Sequence, residues 1–259
     1  MKKENNESAE ALRRKDLHMR LIRTKDYDEM SRRAAGLIAA QVIMKPASVL
    51  GLATGSSPVG TYQNLIEWCH SGDVSFRNVK TVNLDEYVGL DAEHEQSYAK
   101  FMHVNLFDHI DIDPANTNIP DGMASQTEEE CARYDALIQS LGGIDLQLLG
   151  LGPNGHIGFN EPEEIFEKGT HRVSLTQATI QANKRFFENE AAVPRYALTM
   201  GIRDIMQARR VVMVVSGAGK AEILKQAFFG SVTPSVPASI LQFHPDFTLV
   251  ADEEALKCL

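Results

Sequence analysis

The sequence has little cysteine and no long apolar stretch. Its three cysteines, Cys69, Cys131 and Cys258, stand far apart and form neither a CxxC pair nor a Cys/His cluster, which disfavours a disulfide framework and a structural zinc site. No apolar run reaches the roughly 18 residues of a membrane helix; Val211 to Val215, for example, is only of strand length. Residues 1–18 mix both charge signs without an apolar segment, unlike a signal peptide. We therefore expect a cytoplasmic protein without a membrane partner.

Basic residues are also scarce. Lys and Arg number 26 against 35 Asp and Glu, so the net charge at pH 7 is −9. This balance argues against nucleic acid as a partner, because nonspecific nucleic-acid binding depends on a basic surface that releases counterions. A small anionic substrate remains compatible with the charge, since backbone dipoles and two or three cations can hold an anion locally.

Short apolar segments alternate with amphipathic ones along the 259 residues. This alternation predicts a mostly parallel sheet covered by helices on both faces. We find no repeat, linker or break in composition, so the predicted organisation is a solvated extension over 1–18 and a single domain over 19–259. The predicted strands are 48–53, 79–84, 144–150, 196–200, 210–215 and 247–250, and the predicted helices start near 27, 58, 96, 128 and 220.

The segment that follows the first predicted strand is Thr54-Gly55-Ser56-Ser57-Pro58. We interpret Ser57 as a helix N-cap, Pro58 as the first helical residue and Gly72 as the stop. Free backbone N–H groups, hydroxyls and the positive end of a helix dipole would form a cradle for phosphate. An ordinary turn with a serine cap has the same sequence pattern, so both interpretations stay open at this point.

Two further strand ends carry titratable groups. Asp85 and Glu86 follow the second strand, where adjacent side chains point apart, so that one can face a site and the other the interior. A solvated acidic loop is the alternative.

The third strand leads into residues 150–162, which contain four glycines and two prolines around His156 and Glu161. Imidazole can both give and take a proton at neutral pH, which favours a functional role for His156.

Two basic residues are weaker candidates for holding an anion. Lys220 follows Ser216-Gly217-Ala218-Gly219, which is not a Walker motif because Ala221 replaces the Ser or Thr that binds magnesium. Lys220 could still present a point charge to a phosphate group. Arg185 lies in a predicted helical segment, where an arginine is commonly solvated.

The order of these segments is more specific than any one of them. TGSSP, NLDEYVGL and LGLGPNGHIGFNEP, each after a strand, resemble the glucosamine-6-phosphate deaminase (isomerase) family, and ANKRFF, VPRYALTMGI, SGAGKAEIL and VPASILQFH match it as well. The resemblance extends from about Met19 to Ala255. It implies a Rossmann-like, three-layer α/β domain. It also implies conversion of D-glucosamine 6-phosphate and water to D-fructose 6-phosphate and ammonia, in amino-sugar catabolism, with no metal or organic cofactor.

The resemblance also assigns roles to residues. Asp85 would be the base that moves a proton from C2 to C1, and His156 would open the pyranose ring. Glu161 would position and polarise His156, and Asn154 would assist where many family members have Asp. The substrate phosphate would be bound by Thr54, Gly55, Ser56, Ser57, Arg185 and Lys220.

Alternatives within and outside the family make different predictions. The allosteric hexamers use serines and basic residues where this chain has Glu164, Ile165, His171 and Val173, so we expect a monomer or small homo-oligomer. A 6-phosphogluconolactonase would lack the Asn-Glu-Pro continuation and the Asp85 carboxylate. Galactosamine-6-phosphate isomerase is chemically closer and is not separated from the deaminase by the sequence. A sugar-phosphate-sensing regulator would need a DNA-binding module, for which residues 1–18 are too few.

Overall fold

The structure is a computed structural model that describes residues 19–259 except 178, 179, 182, 183, 185, 186, 188 and 190–192. The predicted extension, 1–18, and the candidate phosphate ligand Arg185 lie outside the described residues. The described strands are β1 (Arg20–Thr24), β2 (Val49–Leu52), β3 (Lys80–Asn83), β4 (Asp85–Tyr87), β5 (Thr117–Asn118), β6 (Leu146–Gly150), β7 (His171–Ser174), β8 (Tyr196–Thr199), β9 (Val211–Val215) and β10 (Phe247–Asp252). The described helices are α1 (Tyr27–Met44), α2 (Val59–Ser71), α3 (Tyr98–Asn105), α4 (Thr127–Ser140), α5 (Ile202–Gln207) and α6 (Ala221–Phe229).

The main sheet has seven strands in the order β1-β10-β9-β6-β2-β3-β5. Every pairing within it is parallel, which confirms the predicted parallel sheet. From β2 the chain builds outward through β3 to β5 and then returns to place β6 on the other side of β2. Ligands of such sheets bind at the carboxyl ends of the strands where the order reverses, and here that point lies between β2 and β6.

Hydrophobic cores cover both faces of this sheet. Along β6 and β9, Leu148 and Val212 face one core with residues of α1, α2 and α3. Their neighbours Leu149 and Met213 face the other core with residues of α4, α5 and α6. Because successive residues of a strand point to opposite faces, these apolar strands hold the two helical layers together. The fold is therefore the predicted three-layer, Rossmann-like arrangement.

A second sheet departs from the prediction. The predicted strand 196–200 was counted with the parallel sheet, and that was wrong: β8 lies in a three-stranded antiparallel sheet, in the order β4-β8-β7. The reason is that the chain leaves the main sheet after β3: a single residue separates β3 from β4, and β4 pairs with β8, with Asp85 opposite Thr199. The alternation of half-buried and exposed residues in β7 gave no apolar signal for this sheet.

The start of α2 also differs from its prediction. Pro58 occupies the N-cap and the helix begins at Val59, so Ser57 is not the cap and Pro58 is not the first helical residue. The Pro58 side chain makes no capping hydrogen bond. The predicted stop is confirmed, because Gly72 adopts the left-handed conformation with φ 84°. The backbone ahead of α2 is therefore free of a serine cap, which changes how the loop before it is held.

Candidate active site

The loop from Ala53 to Pro58 leaves β2 at the carboxyl edge of the sheet, and we call it the anion loop. The Tyr62 hydroxyl holds its first residue, donating to the Ala53 carbonyl (2.6 Å) and accepting from the Ala53 N–H (3.2 Å). Gly55 adopts φ 87° at the exposed tip. Ser57 returns to the sheet, its Cβ 3.7 Å from where a Cβ would stand on Gly150 of β6. The anion loop therefore lies directly at the β2–β6 reversal.

Asp85 is the first residue of β4 and is 5% exposed. Burial, with a smaller effect of the neighbouring Glu86 charge, raises the pKa of Asp85 to about 8. Among the residues that the structure describes, none donates a hydrogen bond to its carboxyl group. One carboxyl oxygen would be 3.3 Å from a Cβ at Gly158, so the group lies against the glycine-rich loop. A carboxyl group that is desolvated and not hydrogen-bonded is a strong base once ionised.

Glu86, the next residue, has a different environment. Its carboxylate accepts the N–H groups of Tyr98 (2.9 Å) and Ala99 (2.8 Å), the first two residues of α3, and that of Tyr87 (2.7 Å). Burial raises the pKa of Glu86, while these backbone donors act to lower it. Carboxylates stabilise helix N-termini because they satisfy free N–H donors there. Glu86 thus anchors α3, and Asp85 is left facing the site.

The glycine-rich loop after β6 packs its backbone against the His156 ring. A Cβ on Gly152 would lie 2.2 Å from His156 Cδ2, so no larger residue fits at this position with the ring in place. The Gly155 N–H donates to the Gly152 carbonyl (3.1 Å) and Gly155 adopts φ 88°, a conformation that favours glycine. The glycines therefore shape the turn that places the imidazole at the carboxyl edge.

His156, Glu161 and Asn154 form a connected group. His156 Nδ1 is 3.4 Å from Glu161 Oε1, and the Glu161 side chain is 3% exposed against 19% for His156. Asn154 Nδ2 donates to Glu161 Oε2 (2.6 Å), and Asn154 Oδ1 accepts the backbone N–H of His156 (3.3 Å). Asn154 thus contacts the Glu161 carboxylate and the His156 backbone. Glu161 is the group that faces the ring nitrogen.

Lys220 lies at the same edge, after β9. Its Nζ donates to the carbonyl of Leu151 (2.7 Å), the first residue after β6. Burial lowers the pKa of this amine. The segment before it is fixed by Asp252, which accepts hydrogen bonds from the Ser216 hydroxyl and from the N–H of Gly217 (3.1 Å). The structure thus brings Lys220 to the loop that carries His156, while Arg185 cannot be placed.

Sequence reasoning missed three polar side chains of this region. Thr199 lies opposite Asp85, and its hydroxyl accepts the Phe159 N–H (3.0 Å). The Tyr98 hydroxyl donates to the Tyr87 hydroxyl (3.2 Å). Tyr27 contacts the anion loop from outside. Thr199 is the next-to-last residue of the predicted strand 196–200 and could have been found, whereas the two tyrosines are placed by helix packing and have no sequence signal.

The described residues contain no cluster of three or more His, Cys, Asp or Glu side chains arranged to hold a metal ion. None of the helices in the described part of the chain combines the length and apolar character that a bilayer crossing requires.

The protein is therefore an α/β protein with a candidate active site at the carboxyl edge of its parallel sheet. The anion loop, a buried carboxyl group and a histidine–carboxylate pair meet there, where the strand order reverses. The chain belongs to the family described as glucosamine-6-phosphate isomerases/6-phosphogluconolactonase, whose sequence model matches residues 25–249. It is 59% identical over 232 residues to a glucosamine-6-phosphate deaminase of Lachnoclostridium phytofermentans, covering 90% of this chain and 98% of the relative. A deaminase of the same name from Clostridium perfringens is 53% identical over 93% of this chain and 100% of its own length.

Solved structures give the same picture. A structure described as a monomeric glucosamine-6-phosphate deaminase superposes with a TM-score of 0.90 at 44% identity, covering 93% of this chain and all of that one. A 6-phosphogluconolactonase from Thermotoga maritima shares the fold, with a TM-score of 0.72 at 17% identity over 91% of this chain and 100% of its own. The sequence relationship is thus much nearer to the deaminases than to this lactonase.

Proposed function

We propose that this protein converts D-glucosamine 6-phosphate and water to D-fructose 6-phosphate and ammonia. The observation that carries the proposal is the 59% identity to a deaminase over nearly the whole of both chains. The carboxyl edge supports it, because a buried carboxyl group and a histidine–carboxylate pair are the acid–base groups that ring opening and proton transfer require. The reaction needs no bond to a metal or organic cofactor, in keeping with the sequence prediction that none is used.

His156 catalyses the opening of the sugar ring. The imidazole takes the proton of the anomeric hydroxyl and gives it to the ring oxygen, so the C1–O5 bond breaks and C1 becomes an aldehyde. Glu161, 3.4 Å from Nδ1, stabilises the transient imidazolium. Asn154 holds Glu161 in place through its 2.6 Å hydrogen bond. The amide therefore acts on the histidine through the carboxylate.

Asp85 transfers the proton from C2 to C1. The ionised carboxylate removes the C2 proton to give an enolamine, and the same group returns the proton to C1. The resulting imine at C2 takes up water and releases ammonia, which leaves the ketone of fructose 6-phosphate. A pKa raised to about 8 by burial makes Asp85 a stronger base than an exposed aspartate.

The substrate phosphate binds at the anion loop, with Lys220 nearby. The loop lies ahead of the N-terminus of α2, where backbone N–H groups and the helix dipole favour an anion. The Lys220 amine is held on the Leu151 carbonyl and can contact a phosphate group at this edge by a change of rotamer. Arg185 remains a sequence-based candidate for the same role.

The protein acts as a monomer or small homo-oligomer in the cytoplasm. The 44% identical solved relative is described as monomeric, which supports the small assembly. Sugar phosphates are metabolites of the cell interior, which supports the location. The residues at the positions that bind an effector in allosteric relatives, among them Glu164 and His171, argue against activation of that kind.

Ammonia release from glucosamine 6-phosphate tests the proposal, with galactosamine 6-phosphate assayed in parallel. Asp85→Asn should lower kcat by roughly 10²–10⁴ and abolish exchange of the C2 proton in deuterated water, with substrate binding nearly intact. Wild-type exchange in this variant would remove Asp85 from the mechanism. Faster turnover of the galactosamine substrate would reassign the protein within the family.

A further inference from the structure

Tyr27, the first residue of α1, contacts both the anion loop and the first turn of α2. Its hydroxyl donates to the Ser56 carbonyl (3.0 Å) and accepts the Gly60 N–H (2.8 Å). One phenol thus joins the tip of the loop to the first turn of α2. It also accepts one of the N–H groups of that first turn, which have no hydrogen-bond partner within the helix.

Planarity of the peptide bond gives this contact a consequence for the site. In a trans peptide the C=O and the following N–H point in opposite directions. When the Ser56 carbonyl accepts the Tyr27 hydroxyl, the Ser57 N–H must point away from Tyr27. The Ser57 side chain lies against Gly150, at the carboxyl edge of the β2–β6 reversal, where the proposed function places the phosphate, so the orientation of this peptide decides whether its N–H is available to an anion there.

Without the hydroxyl, this peptide is free to rotate. Gly55 and Ser56 are exposed, so water can replace the phenol as the partner of the Ser56 carbonyl in either orientation. Gly55, with φ 87°, gives the backbone the freedom for such a rotation. A cradle made of backbone N–H groups binds an anion best when its donors are already oriented, because ordering them on binding costs free energy.

We propose that Tyr27 is a positioning residue for phosphate binding, which it supports by fixing the orientation of the Ser56–Ser57 peptide. The inference rests on the proposed function in that the substrate phosphate occupies the anion loop. Tyr27 does not touch the substrate; it acts through the backbone of the loop. Its effect is on binding, because contacts to a remote phosphate hold the ground state and the transition state alike.

The test is Tyr27→Phe, which removes only the hydroxyl. The ring keeps its place against α2, where Cε1 would be 2.9 Å from a Cβ on Gly60. We expect KM for glucosamine 6-phosphate and the Kd of inorganic phosphate, measured by titration calorimetry, to rise together by roughly threefold to tenfold, the effect of one lost hydrogen bond. The kcat should stay within about twofold of the wild-type value.

Gln41→Ala is the matched control. Gln41 lies in the last turns of α1 and donates to the Ser48 hydroxyl (3.0 Å), so the variant loses one hydrogen bond of the same helix far from the anion loop. Its phosphate affinity and KM should equal those of the wild type. Unchanged phosphate affinity in Tyr27→Phe, an equal loss in Gln41→Ala, or a wild type that binds no phosphate would overturn the inference. Phosphate binding without ammonia release would overturn only the proposed reaction.

Discussion

Replacing Asp85 with Asn should make the protein more stable, and more so at alkaline than at acidic pH. The pKa of Asp85 is raised from 3.8 to about 8 by burial. A group whose pKa is higher in the folded state contributes stability that is fully present below its unfolded-state pKa. That stability is lost as the pH rises through the folded-state pKa. The window of this loss runs from about pH 4 to about pH 8.

The magnitude follows from the two pKa values. They differ by about four pH units, and each unit corresponds to about 1.36 kcal/mol, so ionisation of Asp85 costs the folded state at most about 6 kcal/mol above pH 8. Asn is uncharged and has nearly the shape of the protonated carboxyl group. The variant should therefore match the wild type near pH 4 and exceed its free energy of unfolding by at least about 2 kcal/mol at pH 8.5.

Urea unfolding followed by circular dichroism at pH 5 and pH 8.5 measures this difference. Asp145→Asn is the control, because hydrogen bonds from Lys45 and the Val49 N–H, with the nearby positive charges, outweigh desolvation and lower the pKa of Asp145. Its contribution is present above the unfolded-state pKa and is lost only as the pH falls below that value, so Asp145→Asn should destabilise the protein equally at both pH values. An Asp85→Asn stability gain that is equal at pH 5 and pH 8.5 would refute the reasoning.

Three further predictions concern the other polar groups of the site. Lys220→Ala should mainly raise KM and weaken competition by inorganic phosphate, because the Leu151 carbonyl holds the amine at the carboxyl edge of the sheet. Steady-state kinetics measures both effects. Equal competition by phosphate in the variant and the wild type would remove Lys220 from the phosphate site. Asn154→Asp places a second carboxylate beside Glu161, at a position where Asn154 now lies 2.6 Å from it. The added negative charge should move the acid limb of the kcat/KM profile, measured from about pH 5 to 9, to higher pH by roughly 0.5–1.5 units. An acid limb that stays in place would mean that the two carboxyl groups share a proton. Glu86→Ala removes the acceptor for the first N–H groups of α3. This variant should lower the free energy of unfolding by about 1–3 kcal/mol in urea titrations. Glu86→Gln keeps an acceptor, so its free energy of unfolding should fall by less.

The sequence predicted five of the seven described strands of the main sheet, because these are short, mostly apolar and separated by helical periodicity. It did not predict β1 and β5, which are the two edge strands and have a polar composition. The segments Leu146–Gly150 and Val211–Val215 are each flanked by glycine or polar loops and bury nearly every residue, which is the pattern of strands covered on both faces. The second sheet carried no such pattern. Its strand β4 is only three residues long and is defined by its pairing with β8, a long-range contact that local periodicity does not contain.

The candidate site shows the same division between local and long-range information. Glycine density and a strand end identified the loop of His156 and Glu161, and the pair lies together as expected. The hydrogen bonds of Tyr27 to Ser56 and of Tyr98 to Tyr87 depend on how helices pack on the rest of the fold, so no sequence motif predicts them. The division into residues 1–18 and a single domain, and the roles of the site residues, stay predictions.

The environments of Asp85 and Glu86 explain how one short strand can separate a base from an anchor. Strand geometry sends consecutive side chains to opposite sides, so one carboxylate of the pair reaches the N-terminus of α3 and the other cannot. Glu86 receives three backbone N–H donors, whereas Asp85 receives none from the described residues and carries the desolvation cost alone. Because Glu86 fixes the N-terminus of α3, the helix holds Tyr98 near Asp85, which is 5% exposed. The stability lost by ionising Asp85 is therefore the direct consequence of the dry surroundings that make it a strong base.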